Sequence, residues 1–311
     1  MMTRPKVVSI MGIGHSGSTV VDIVLGDHPN ITGVGELHKL PRSGWVHNDS
    51  RRCACGSPVH ECPYWTEVFR LWTKRVGADG LDAYIGRQNG FERSRSQWPH
   101  LLLESRRRSA DFCSYADMTA ALYEAVGEVS GTRTIIDSSK PAIRNYALLQ
   151  NDRLDVRVIH LIRDGRAVVW SKLKARARDV DSGIPTDQPA TPSWRTSLGW
   201  VMTNLESEWV ARRAGRGRVL RLTYELFVER PLEALERIAE LIEEDLSCVA
   251  THIQEGRPME AGHNVGGNRL RMSRRIVLRP DFEWREKLPA GEAKTFWRIA
   301  GWLARRYGYA Q

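Results

Sequence analysis

Apolar residues recur along this chain with two different periods. Short runs rich in Val and Ile read as buried strands: Val7-Val8-Ser9-Ile10-Met11, Ile31-Thr32-Gly33-Val34, Thr134-Ile135-Ile136, Val156-Arg157-Val158-Ile159-His160-Leu161-Ile162 and Val219-Leu220-Arg221-Leu222. Between them, apolar positions return every three or four residues, as in Trp65, Val68, Phe69 and Trp72, in Met118, Ala121, Leu122 and Ala125, and in Leu232, Leu235, Ile238, Ala239 and Ile242. A last such segment carries Trp297, Trp302, Leu303 and Tyr307. These predict helices whose named residues face the core. Ser193 or Thr191 is expected to cap the helix bearing Trp194, Leu198, Val201, Leu205 and Trp209. Strands alternating with helices imply the α/β class, with a mainly parallel central sheet flanked by helices.

The first strand runs into Gly12-Ile13-Gly14-His15-Ser16-Gly17-Ser18-Thr19 and then an apolar helix. Glycines let such a turn curl so that backbone N–H groups and the helix N-terminus converge on one anion. Against the loop of nucleotide hydrolases, Gly12 and Gly17 stand at the glycine positions and Thr19 at the hydroxyl position, but Ser18 replaces the lysine. A loop lacking that lysine suits one 5′-phosphate better than a metal-bridged polyphosphate. A second anion site is written at Arg163-Asp164-Gly165-Arg166-Ala167, where a strand hands over to a helix. An arginine at a strand end offers a forked, permanently charged donor, and Ser171, two turns along, adds a hydroxyl. Ser139 and Lys140 lie just past another strand, where open parallel sheets place ligand groups. Late in the chain, His263 to Ser273 holds two glycines, Asn268, Arg269 and Arg271, the composition of a loop that wraps an anion.

Taken together, the two phosphate motifs resemble the sulfotransferases that use 3′-phosphoadenosine 5′-phosphosulfate (PAPS), in the bacterial branch that is similar to the tyrosylprotein type. The family's 5′-phosphosulfate loop reads Lys or Arg followed by Ser-Gly-Thr/Ser-Thr; here His15 stands in place of the basic residue. Its 3′-phosphate motif usually reads Arg-Asp-Pro-Arg-Ala with a serine further on; Arg163 and Ser171 hold those positions and Gly165 replaces the proline. The resemblance implies a three-layer, P-loop-like fold over 1–311 as a single domain, with insertions at about 42–130 and 176–215. It implies PAPS as sulfuryl donor, no metal, and a donor site made of Gly14, His15, Ser16, Gly17, Ser18, Thr19, Arg163, Ser171, Gly267, Asn268 and Arg269, with Tyr224 toward the adenine. Glu36 stands where the family keeps its catalytic base, and Lys140 where a lysine approaches the sulfate. His15 is a second cation for the transferring group or, alternatively, the base itself.

A formal net charge of +9 brings polyanions into view. There is no zinc-finger spacing, no RNP-like aromatic motif and no basic heptad, so nucleic acid is set aside as a partner. Arg93, Arg95, Arg106, Arg107 and Arg108 read as solvated helix faces. No apolar run is long enough to span a membrane, and the N-terminus leads straight into a strand, so a cytoplasmic protein is expected. The acceptor is expected to be a small molecule with a phenolic, sugar or lipid hydroxyl. Residues 176–192, rich in proline, are expected to form a lid or acceptor loop. Of five cysteines, Cys53, Cys55 and Cys62 cluster beside His60, in a segment that resembles an insertion of many bacterial sulfotransferases near the acceptor pocket. Their spacing matches no strong zinc pattern; reduced structural thiols rank first, a disulfide second and zinc third. The rival readings are a P-loop kinase or nucleotide hydrolase and a non-catalytic basic adapter for nucleic acid.

Overall fold

Strand β1 (Lys6–Met11) lies at the centre of a five-stranded, wholly parallel sheet, with β2 (Ile31–Gly35), β3 (Thr134–Lys140), β4 (Asp155–Ile162) and β5 (Val219–Thr223) in the order β2-β3-β1-β4-β5. The computed structural model describes residues 4–46, 51–93, 96–182, 184, 187–273 and 275–311. Met1 to Thr3, Arg95, Gly183, Pro185 and Thr186, which enter the expectations above, lie outside the described residues. Val7, Val8, Ile10 and Met11 have no exposure, as the central strand of a sheet covered on both faces requires. Because β3 and β4 flank β1, the crevice beyond the carboxyl end of β1 is the point at which open α/β sheets bind ligands.

The helices, in chain order, are α1 (Ser18–Gly26), α2 (Pro63–Val76), α3 (Gly80–Glu92), α4 (Trp98–Arg106), α5 (Ala110–Ser130), α6 (Ala142–Leu149), α7 (Gly165–Leu173), α8 (Ser193–Arg213), α9 (Tyr224–Glu229), α10 (Pro231–Ile242), α11 (Ser247–Gln254), α12 (Trp284–Lys287) and α13 (Ala290–Arg306). One face of the sheet buries Val7 and Met11 under α2 to α6, whose Trp65, Trp72, Tyr84, Phe112 and Tyr115 interlock as an aromatic layer. The opposite face buries Val8 and Ile10 under α1, α10 and α11. A third cluster joins Ile162, α7, α8 and α13 around Trp200 and Phe296.

Three local expectations are corrected. Trp302 is 53% exposed, because it precedes the buried Leu303 by one residue and so sits about 100° round α13. Leu232 is 37% exposed in the first turn of α10, since a helical period gives the direction of a face and not the point where its neighbour ends. Neither Ser193 nor Thr191 caps α8; Pro192 enters the helix with no side-chain cap, and the Thr191 N–H goes to the Lys172 carbonyl at 2.8 Å. The described part of the proline-rich stretch is also more regular than expected. Arg176 pairs with Gln188 and Asp179 with Ile184 as two antiparallel rungs.

Gly165, where the family motif has proline, touches the third cluster. A Cβ there would come within 2.0 Å of Phe296 Cε2, and Phe296 is fully buried. Gly165→Ala is expected to cost about 1–3 kcal/mol through overpacking, read as a lower midpoint in denaturant unfolding at unchanged slope.

Candidate functional site

From Met11 the backbone turns sharply into α1, with φ of 145° at Gly12, 71° at His15 and 89° at Gly17. A Cβ on Gly12 would lie 2.4 Å from the Leu161 carbonyl oxygen in β4, and one on Gly17 would lie 2.3 Å from the Tyr224 ring. Those two positions therefore need glycine for space as well as for conformation. Gly14 by contrast has open space where its side chain would be. Ser16, Ser18 and Thr19 are buried in the loop and the first turn of α1, where helix N–H groups and the dipole favour an anion. Ser16 Oγ is buried with no partner in the protein.

Arg163, one residue past β4, reaches this loop. Its Nη1 donates to the His15 carbonyl at 3.1 Å, and its Nη2 donates to the Asp281 carbonyl at 2.9 Å and Oδ2 at 3.2 Å. The guanidinium lies 4.3 Å above the Tyr224 ring, the same ring that closes over Gly17. Its Nε is buried without a partner. On α7, Asp164 accepts the Arg166 N–H at 2.9 Å as the helix cap, and Ser171 Oγ meets His15 Nδ1 at 3.0 Å. The two motifs, at the ends of different strands, thus meet in one cradle. Tyr224 OH accepts the Asp281 N–H at 3.2 Å, which holds the ring over the loop.

Glu36 follows β2 and Lys140 ends β3, and parallel pairing of these neighbours brings their side chains together. Lys140 Nζ contacts Glu36 Oε1 and donates to the Ser138 carbonyl at 3.0 Å, while Lys39 Nζ contacts Glu36 Oε2. Burial alone would raise the Glu36 carboxyl, but Lys140 and Lys39 outweigh it and hold it well below the usual carboxylate range. Burial pulls the His15 imidazole down to about 4, reinforced by the charges of Lys172, Arg176 and Lys140 and opposed by Glu36. This environment favours the uncharged form of the His15 ring.

The late loop closes against both elements. A Cβ on Gly267 would fall 2.7 Å from Thr19 Oγ1, and that hydroxyl accepts the Asn268 N–H at 3.0 Å. The Asn268 side chain caps the turn Arg269–Met272 through the Leu270 N–H. Glu36 N–H donates to the Val265 carbonyl at 2.6 Å, so the loop and the β2 terminus form one short ladder. Arg269 is exposed, whereas Arg271 is buried and its guanidinium is lowered to about 10 by burial and by Arg51. Lys39, Arg51, Lys172 and Arg176 had no motif to single them out; proximity to Glu36 and His15 is what makes them part of the site. His60, next to the cysteines in sequence, lies 3.3 Å from Glu61, and the histidine that converges on the three thiols is His263.

Behind the β3 terminus lies a buried polar network. Asp137 accepts Ser139 Oγ at 2.5 Å and the Tyr123 hydroxyl, and Arg144 spans Asp137 at 3.7 Å and Glu92 at 3.1 Å with Tyr84 at 3.0 Å. Gln88 links Glu92 at 3.0 Å to the His38 carbonyl at 2.7 Å, next to Glu36. On the other side, Asp22 of α1 accepts the Gly35 N–H at 3.1 Å and Asn264 Nδ2 at 2.8 Å. Burial outweighs these bonds and pushes its carboxyl up to about 7.

A parallel sheet with a glycine loop that lacks the hydrolase lysine and an arginine at the end of the neighbouring strand defines an α/β protein of the P-loop-like type. The family model described as "Sulfotransferase family" matches residues 5–247, and the chain belongs to that family. Its activity class is sulfuryl transfer. The fold is similar to that of the sulfotransferase domain from the Synechococcus PCC 7002 olefin synthase, with a TM-score of 0.51 at 19% identity over 99% of this chain and 96% of that one. It is also similar to sulfotransferase STF9 from Mycobacterium avium, with a TM-score of 0.50 at 13% identity over 99% and 78%. No curated protein matches the chain in sequence. Among the described residues no helix is long and apolar enough to cross a membrane.

Two stability tests follow from this geometry. Arg144→Met leaves Asp137 and Glu92 buried without their cation and is expected to cost roughly 3–5 kcal/mol in denaturant unfolding. The Asp22 carboxyl is raised above its unfolded value, so the folded state holds the extra proton between the usual carboxylate range and about 7. Stability from this group is complete at the acid side of that window and is lost as pH rises through it. Asp22→Asn cannot ionise, so its Tm relative to the parent should move in the variant's favour from about pH 5 to about pH 8.

Proposed function

We propose that this chain transfers the sulfuryl group of PAPS in line to a hydroxyl of a small-molecule, sugar or lipid acceptor, leaving adenosine 3′,5′-bisphosphate, and that 1–311 acts as one domain. The observation that carries this reading is the bond from Arg163 to the His15 carbonyl, which sets two anion sites side by side. The fit is supported by two polar atoms buried without protein partners in that cradle, Ser16 Oγ and Arg163 Nε. When bound, PAPS supplies a sulfuryl group on a phosphate leaving group. Amides of residues 14–19 with the hydroxyls of Ser18 and Thr19 would hold the 5′-phosphate. Arg163, Ser171 and the Gly267, Asn268 and Arg269 loop would hold the 3′-phosphate, and Tyr224 would border the adenine.

Glu36 would take the acceptor's proton, and Lys140 would donate to the bridging oxygen as charge builds there. Their ion pair couples these roles. A Lys140 drawn toward the donor leaves Glu36 with one cation fewer, so its basicity rises at the moment it is needed. His15, a neutral ring bonded to Ser171, would donate to the sulfuryl oxygens through its remaining N–H, or serve as base in place of Glu36.

Adenosine 3′,5′-bisphosphate should raise the Tm of the parent, and ATP should raise it less. Arg163→Ala is expected to weaken bisphosphate binding roughly 10–100-fold, the loss of charged hydrogen bonds of about 1.5–3 kcal/mol. Glu36→Gln should keep that affinity and lose turnover of labelled PAPS across an acceptor screen. Full turnover by Glu36→Gln would move the base to His15, and an unchanged Tm with bisphosphate would end the reading.

A further inference from the structure

Cys53, Cys55, Cys62 and His263 place their donor atoms within 4.8 Å of one another, although 201 residues separate Cys62 from the histidine. Cys55 Sγ lies 3.7 Å from Cys62 Sγ, and His263 Nδ1 lies 3.5 Å from Cys53 Sγ and 3.4 Å from Cys62 Sγ. A tetrahedron with metal–sulfur bonds of about 2.3 Å and metal–nitrogen bonds of about 2.0 Å has edges of about 3.8 Å between sulfurs and about 3.5 Å between sulfur and nitrogen. These three separations match the edges of such a tetrahedron, and all of the donor atoms stay within 4.8 Å of one another. All three thiols are free, so no disulfide accounts for the convergence.

Backbone N–H groups and neighbouring rings position the four ligands. The Cys55 N–H is aimed at Cys53 sulfur, and the Trp65 N–H at Cys62 sulfur. Cys62 is also the N-cap of α2, where the helix dipole favours negative charge. The turn between the first two cysteines is closed by the Gly56 N–H on the Cys53 carbonyl at 2.9 Å, with Gly56 at φ 97°. His263 is oriented by stacking on Tyr64, with centroids 4.6 Å apart and planes at 2°, and by Trp65 Nε1 donating to its carbonyl at 2.8 Å.

We propose that these four side chains form a structural zinc site. Three soft thiolates and one imidazole in a closed tetrahedron select zinc, and a fully protein-ligated ion has no open position for catalysis. The site ties the segment 51–62 to His263, at the root of the loop that meets Glu36 through Val265 and Thr19 through Asn268. Zinc therefore fixes the loop against the phosphate cradle. The site itself stands independently of the proposed sulfuryl transfer.

Full-length protein expressed with added zinc and passed into metal-free buffer should retain about one zinc per chain by elemental analysis. A mercurial titrant should release it to a chromogenic chelator, and cobalt(II) exchanged into the site should show thiolate charge-transfer bands with tetrahedral visible absorption. Cys55→Ser, which alters the exposed cysteine of the set, should lose zinc and lower Tm, whereas Cys113→Ser, outside the cluster, should keep both. Denatured protein with chelator should titrate all five thiols. A missing pair of thiols marks a disulfide and overturns the proposal. So does a brown iron–sulfur chromophore, or wild-type protein that holds neither zinc nor cobalt. These readouts need no acceptor and no donor, so their failure leaves the transferase reading untouched.

Discussion

Arg163 must touch the His15 carbonyl, and much of the architecture exists to allow it. The contact requires β4 to lie beside β1 in parallel, so that both strands deliver their carboxyl ends to the same edge. It requires Gly12, because a Cβ there would lie 2.4 Å from the Leu161 carbonyl oxygen of β4. It requires Gly17, because the ring of Tyr224 supports the guanidinium from beneath and fills the space above that residue. A cation fixed by carbonyls on two sides and an aromatic face on a third has little conformational entropy left to lose when an anion arrives.

The second half of the site follows from the opposite side of the sheet. Insertion of β3 between β2 and β1 sets Lys140 beside Glu36, and the polar network under Asp137 and Arg144 supports the strand terminus from which Lys140 projects. Because that network is buried and ionic, it contributes directional placement of the β3 terminus more than stability. The crevice thus has a permanently charged wall at Arg163 and an ion-paired wall at Glu36 and Lys140.

Strands were legible in the sequence wherever Val and Ile ran together, and all five of those runs became strands of the sheet. The phosphate loop and the Arg163 motif were legible because their chemistry is local: the residues that form each are contiguous. What escaped depends on contacts across the chain. His263 meets thiols 201 residues earlier in the chain, so the spacing of Cys53, Cys55 and Cys62 alone, with His60 the only histidine between them in sequence, matched no strong metal pattern. Lys39 and Arg51 look like any surface cations until folding turns them onto Glu36. Trp302 and Leu232 show the complementary error, a periodicity that assigns a face but not the extent of what covers it.

Among the described residues, His15 and Lys140 are two of three non-glycine residues with a left-handed backbone, at φ 71° and 67°. Such a conformation costs a side-chain-bearing residue of order 1 kcal/mol that glycine would avoid. At both points the backbone would relax if the side chain were deleted, yet the side chain is what faces the crevice. Robustness and the proposed chemistry therefore pull against each other at these two positions, and an engineer seeking a hardier scaffold would be led by the backbone alone to erase first the side chains assigned to that chemistry.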